Sequence, residues 1–529
     1  MRRAWLRLLV LCGVSACGPG MAGPGTVVPI SPLLPEDRVL LGDFSQVNAI
    51  ASSFDQLFVA YPTALGIYRP LEHRWEVPRA PADPDILRSV HAAVIDELDQ
   101  SVWLATLDGW LHYRPQLDLW ERGLVPGRVE TLATDAANPL RGIWFRSTSG
   151  WYVQSRGGGP AQPATPPTTL RLATTVEDAM RDLPQLRSLA PTLVIGPRLT
   201  HGRLTAAAPI ANGSGWYLGS TTRGLMSFDR HGVLAESFQV GIPGNVIGAV
   251  VEIPGGVWVA TDATTEVGAQ VTLLSNDLTH SDAVAGLPTA GLPFDAARRL
   301  LATDGALWIG SDRGAVRVSL PSGALKRFDE GSRLPDQRIT ALVERQGRVV
   351  IGTLRGLSEE TSPGIVQRRA VKFFGAVYAL AARGDTVWVG TSVGLAAFMP
   401  GENDLRISDG LRALIGGNAP VYGVGYVADT LVTMTSDRLL WRDPVTGAWT
   451  RGPLLTAELG PLAVMYAADE GIWVAGVHGA ALLRPDMRPL RVLRVPIDLP
   501  GPVTSITRSG GYLWIGTLRG LVRYRLELR

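Results

Sequence analysis

A nine-residue unit, Leu513-Trp514-Ile515-Gly516-Thr517-Leu518-Arg519-Gly520-Leu521, recurs along this chain and limits its possible folds more than any other feature. Close copies are Leu307-Trp308-Ile309-Gly310-Ser311-Asp312-Arg313-Gly314, Val349-Val350-Ile351-Gly352-Thr353-Leu354-Arg355-Gly356-Leu357 and Val387-Trp388-Val389-Gly390-Thr391-Ser392-Val393-Gly394-Leu395. Weaker copies surround Trp103, Trp144, Tyr217, Trp258 and Trp473, and degenerate ones surround Phe58 and Val432. Eleven copies about 42 residues apart mark a repeat architecture, in which no unit can bury its faces alone.

Each unit reads as four short strands. Val503-Thr504-Ser505-Ile506 alternates with period two, Ser509-Gly510-Gly511 turns the chain, and Leu513 to Thr517 forms a second strand. Leu518-Arg519-Gly520 turns it again into Leu521 to Tyr524, and stretches such as Ala324-Leu325-Lys326-Arg327-Phe328 supply a fourth, more polar strand. Four antiparallel strands per unit make a propeller blade, with the tryptophan filling the layer between blades. The expected fold is all-β: a β-propeller of about eleven four-stranded blades.

The Leu-Trp-Ile-Gly-Thr-x-x-Gly-Leu unit resembles the two-component regulator propeller repeat of extracytoplasmic sensor regions in bacterial hybrid histidine kinases. Gly286-Leu287-Pro288, Gly291-Leu292-Pro293 and Leu334-Pro335-Asp336 resemble the Gly-Leu-Pro lead-in of those repeats. The resemblance covers roughly residues 45–529 and implies a ligand-binding propeller. Only five residues follow Tyr524, so neither a kinase nor a DNA-binding domain is expected.

Eleven blades exceed the usual four to eight of one ring, so two tandem propellers are expected. The glycine- and proline-bearing stretch at 286–293 is the natural junction, giving propellers over 38–285 and 286–529. Arg38-Val39-Leu40-Leu41 is a strand that could close a ring beside a C-terminal strand. An insertion over 159–203 carries a short amphipathic helix, with Val176, Met180, Leu183 and Leu186 on one face and Pro184 weakening it. It reads equally as a functional loop or a degenerate blade.

Met1-Arg2-Arg3 followed by a mostly apolar run to Ala16 is an export signal over 1–16. Val14-Ser15-Ala16-Cys17 resembles the bacterial lipobox, which makes Cys17 the lipidation site and 17–37 a tether. Gly18 after the cysteine is similar to lipoproteins sent on to the outer membrane, facing the periplasm or the cell surface. Removal of the signal takes Cys12 with it, so no disulfide is expected.

Lys+Arg 50 against Asp+Glu 48 excludes a strongly basic chain and, with it, nucleic acid as a partner. The seven histidines do not recur at one blade position or show a zinc spacing, so no metal is expected. Gly390-Thr391-Ser392-Val393-Gly394 matches a nucleophile elbow in letters only, because a strand follows where a helix is needed. Arg442-Asp443-Pro444-Val445-Thr446-Gly447-Ala448-Trp449 looks like a quinoprotein element of the wrong spacing, and no cofactor is expected.

Arg223, Arg313, Arg355 and Arg519 each precede the repeat glycine, where a ring of guanidinium forks could receive an anionic ligand. The competing reading pairs each with an acid of its own or the next blade. The functional expectation is a lipid-anchored, non-catalytic binding protein of the envelope, taking a protein, glycan or anionic small ligand in sensing or assembly. The alternative is a scaffold of envelope secretion or outer-membrane protein assembly, and a propeller lyase ranks below both.

Overall fold

The computed structural model describes residues 38–526 except 79–80, 157, 194, 196–200, 239–240, 264–267, 279–280, 284–295, 321, 330, 332–333, 363–364, 369–374, 400–404, 469–470 and 486. The signal, Cys17, the tether and the 286–293 stretch therefore lie outside the described residues. Eleven antiparallel sheets form, ten of four strands and one of five. We number these blades in chain order: 1 (49–76), 2 (92–124), 3 (129–172), 4 (204–238), 5 (247–283), 6 (297–328), 7 (339–368), 8 (377–407), 9 (423–454), 10 (462–494) and 11 (503–525).

The repeat unit explains its own residues. In blade 11, Trp514 is fully buried against Ile247, Val257 and Val259 of blade 5, as a layer filler should be. Gly516 follows because a Cβ there would meet Ile247 at 2.7 Å, so only glycine lets blade 5 approach this closely. Thr517 Oγ1 then donates to the Gly520 carbonyl at 2.7 Å and accepts the Arg519 N–H at 3.1 Å, clamping the turn. Gly520 supplies the left-handed φ of +126° that the clamp requires.

Strand Arg38–Leu41 pairs antiparallel with Gly520–Arg525 and completes blade 11 as its outermost strand, so the two ends of the described chain meet in one sheet. Blades 5 to 11 form one closed ring of seven, each inner strand packing on the next and blade 5 packing on blade 11. Thr504 Oγ1 donates to the Ile247 carbonyl at 2.6 Å, and the Val250 N–H donates to Ser505 Oγ at 3.0 Å across this closure.

The partition expected at 286 is corrected here. Blade 5 belongs to the large ring, because its apolar face is covered by Trp514 and Leu521 of blade 11. The rings meet the chain at the connectors 42–48 and 241–246, where Asp43 bridges Gly241 and the Ile242 N–H donates to the Gly42 carbonyl at 2.9 Å.

Blades 1 to 4 make a second, smaller ring inserted between the outermost strand of blade 11 and blade 5. Blade 4 packs on blade 1, where the Val47 N–H donates to the Ser220 carbonyl at 2.8 Å. The insertion closes this ring. Strand Leu170–Leu172 adds to the inner edge of blade 3, and helices α1 (Val176–Asp182) and α2 (Leu186–Leu193) follow. Ala179, Leu183 and Leu186 are buried against Leu218, Met226 and Phe228 of blade 4. The helix signal was thus real, and Pro184 falls at the break between α1 and α2. Thr175 starts α1 with a capping box to Asp178.

One apolar cluster runs through both rings, joining Val47, Ile50 and Tyr217 of the small ring to Leu482, Leu513 and Tyr524 of the large one. Arg519 also pairs with Asp85 at 3.0 Å from ring to ring.

Candidate functional site

The four turn arginines do not form one ring. Arg223 stands on blade 4 of the small ring, Arg313 and Arg355 on neighbouring blades 6 and 7, and Arg519 on blade 11 of the large ring. Each turn uses only the main chain of its arginine: the Arg313 N–H donates to Ser311 Oγ at 3.0 Å and Arg355 N–H to Thr353 Oγ1 at 3.2 Å. In blade 8 Val393 fills the same place with the same bond to Thr391. Arg355 pairs with Asp336 at 3.4 Å and Arg519 with Asp85 at 3.0 Å, so both guanidiniums have carboxylate partners.

The small ring instead holds two clefts. The first, about 800 Å³, lies on its axis, walled by the inner strands of all four blades and by the insertion. Ile50, Ala93, Thr131 and Thr205 represent blades 1 to 4, and Leu172 to Asp178 cross the opening. Glu130, Glu177 and Asp178 set three carboxylates in its wall against the single guanidinium of Arg146. Arg146 donates from Nε to Glu130 at 2.9 Å, and Asp178 is held by Thr175 and by Arg181 at 2.9 Å. The hydroxyl of Thr175 beside it keeps the Asp178 carboxyl below its ordinary range. The wall therefore carries an excess of negative charge and suits a neutral or cationic polar ligand better than an anion.

The second cleft, about 830 Å³, opens between the outer strands of blade 2 and residues 154–156 and 158–161 of blade 3. It exists because the fourth strand of blade 3 is only Gln162–Pro163, leaving the outer face of blade 2 uncovered. Gln154, 2% exposed, fastens the replacing loop by donating to the Gly159 carbonyl at 2.9 Å.

The floor of this cleft is His112, stacked on Trp103 with ring centroids 3.9 Å apart. Its Nδ1 lies 3.1 Å from Glu121 Oε2 and its Nε2 lies 2.7 Å from Ser101 Oγ. Arg114 also reaches Glu121, at 3.1 Å. These are the distances of a serine–histidine–carboxylate relay, but Ser101 is 0% exposed and its hydroxyl lies 2.5 Å from Asp99. A nucleophile must reach its substrate, and Ser101 is sealed beneath the blade. Burial pushes the His112 imidazole below its ordinary range against the pull of Glu121, and Arg114 pushes the same way. The group is a buried structural relay, held neutral near pH 7.

The polar cleft residues carried no signal at the sequence level, because each stands alone in its blade; the insertion over 159–203 and the repeat position of Trp103 were the signals that touch the clefts. Among the described residues no group of three or more metal-ligating side chains converges, and no helix is long and apolar enough to cross a membrane.

No protein-family model matches the chain, and no curated protein matches it. Among solved structures it is similar to PorZ, a surface component of the type-IX secretion system of Porphyromonas gingivalis, at 13% identity and a TM-score of 0.44, over 91% of this chain and 69% of that one. It is also similar to the extracellular domain of BT4673 from B. thetaiotaomicron, described as a hybrid two-component system, at 11% identity and a TM-score of 0.44, over 91% and 70% of the two chains. Both are distant likenesses, and the architecture stands on the strand pairing above.

Proposed function

We propose that this protein is a non-catalytic recognition protein of the cell envelope, anchored by a lipid on Cys17 and binding its ligand in the axial cleft of the small ring. The observation that carries this reading is the cleft itself: one opening to which all four blades and the insertion contribute. Binding sites on repeat scaffolds favour such convergent surfaces, since every blade adds a side chain to a rigid frame. The sealed Ser101 supports recognition over hydrolysis.

A scaffold role is favoured by a different observation. The turns joining strands one to two and three to four lie on one face of every blade. On the small ring that face exposes Phe54 (69%), Leu71 (70%), Leu98 (51%), Leu117 (66%), Leu140 (75%) and Val233 (60%). Exposed apolar side chains on one face suit a protein partner.

Site-specific photo-crosslinking in the native envelope separates the two. A crosslinker at Glu177 that captures a small ligand or peptide supports recognition at the axis. Capture of a folded protein from Phe54, with none from Glu177, supports the scaffold. Failure at both positions overturns the assignment to the small ring.

A further inference from the structure

The large ring repeats one register position in nearly every blade. Directly after the bulge of the innermost strand stand Ala249, Ala341, Ala379, Val464 and Ser505, paired with Ala260, Gly352, Gly390, Ala475 and Gly516. Four of these five are alanine or serine, so the position carries little bulk around the axis. In blade 6 the same position is Arg299, opposite Gly310. Its side chain is exposed although it springs from an innermost strand, so it projects into the axial opening of the ring.

The guanidinium of Arg299 has main-chain partners only. Nε donates to the Thr340 carbonyl of blade 7 at 2.6 Å and Nη1 to the Arg298 carbonyl at 2.7 Å. Among the described residues no carboxylate pairs with it. The adjacent Arg298 pairs with Asp262 at 2.8 Å. The two fixed carbonyls leave Nη2 and one Nη1 proton free in a fork.

We infer that Arg299 is the anion-binding residue of this protein, receiving an oxyanion (carboxylate, sulfate or phosphate) in the axial mouth of the large ring. The two carbonyl bonds orient the fork, and the smaller residues at the same register of the other blades leave the axial space open to a ligand. The site is separate from the axial cleft of the small ring, whose wall is acidic, and stands or falls independently of it.

The test uses the purified full chain titrated with inorganic phosphate and with sulfate, against chloride at equal ionic strength, read by thermal unfolding and calorimetry. Phosphate or sulfate is expected to stabilise the wild type beyond chloride. Arg299→Met, which keeps the aliphatic stem, is expected to weaken the oxyanion by about tenfold or more. It should also melt close to wild type in oxyanion-free buffer, because the exposed guanidinium is held only by two main-chain carbonyls. Arg313→Met, on a turn of the same blade, should leave binding unchanged, and Arg299→Lys should retain part of it. No preference for oxyanions over chloride would overturn the assignment. So would binding that survives Arg299→Met, or a loss of stability in Arg299→Met without oxyanion, which would make Arg299 a packing residue.

Discussion

Asp43 and Gly241 face each other in an antiparallel bridge, although the entire small ring lies between them in sequence. The chain leaves the large ring beside the point where it returns, and Asn245 fastens the exit by accepting the Asp43 N–H at 2.8 Å. The small ring is thus inserted between the closing strand Arg38–Leu41 and blade 5 of the large ring. The shared cluster through Leu40, Ile50 and Leu513 ties the two into one core.

That junction should be sensitive to a single methyl group. Gly241 has a φ of +97°, and a Cβ there would lie 2.2 Å from the Gly42 carbonyl oxygen. Gly241→Ala is expected to destabilise by about 1–3 kcal/mol, read by urea unfolding. Limited proteolysis should then cut first at the connectors. Leu40→Ala, in the closing strand and 3% exposed, should cost about 2–5 kcal/mol. An effect of neither variant would contradict closure through the Arg38–Leu41 strand.

The His112 relay sets a pH dependence. Its folded pKa lies below the unfolded value of about 6.5, so the unfolded chain binds the proton first as pH falls. The stabilising contribution is complete above about pH 6.5 and is lost as pH drops from there through the folded pKa. The melting temperature of wild type should fall as pH drops below about 6.5, and that of His112→Gln should fall less. Equal slopes would remove His112 from the account.

Arg345 and Glu359 form an ion pair inside blade 7, 5% and 1% exposed, with Arg345 also lying 5.2 Å from the Phe398 ring centroid of blade 8. Arg345→Met leaves the Glu359 carboxylate buried without that charge and should cost about 3–5 kcal/mol. Denaturant midpoints compared with wild type decide this.

The turn arginines should behave as surface residues. Arg355 and Arg519 are 76% and 44% exposed in their ion pairs, and exposed pairs contribute under about 1 kcal/mol. Replacing both by Ala should leave oxyanion binding intact and lower stability only slightly. Loss of binding in that double variant, with folding preserved, would return the anion site to the turns.

Lipid anchoring rests on the lipobox-like Val14-Ser15-Ala16-Cys17. Cys17→Ser should release the protein from the membrane fraction after cell breakage, while it folds and is exported normally. Persistent membrane association of the variant would require another attachment, such as the apolar face around Phe54 and Leu140.

The sequence alone determined the blade. Period-two alternation, the buried tryptophan and the Gly-Thr-x-x-Gly turn are local consequences of strand sterics and hydrogen bonding, so they are written at fixed spacing and could be read as such. It also determined the closing strand at 38–41, whose apolar residues needed a sheet edge to cover. Ring membership was decided only in three dimensions. Blades of both rings share one period of about 42 residues, and the choice between them depends on which faces fit: Ile247 beneath Gly516, Leu183 against Phe228. The four turn arginines share a turn but not a ring, because their blades were dealt to both. Arg299 shows the same division of labour: along the chain it is one arginine among many, and only strand register, which aligns it with three alanines, a valine and a serine, reveals a charge without a carboxylate partner on the axis.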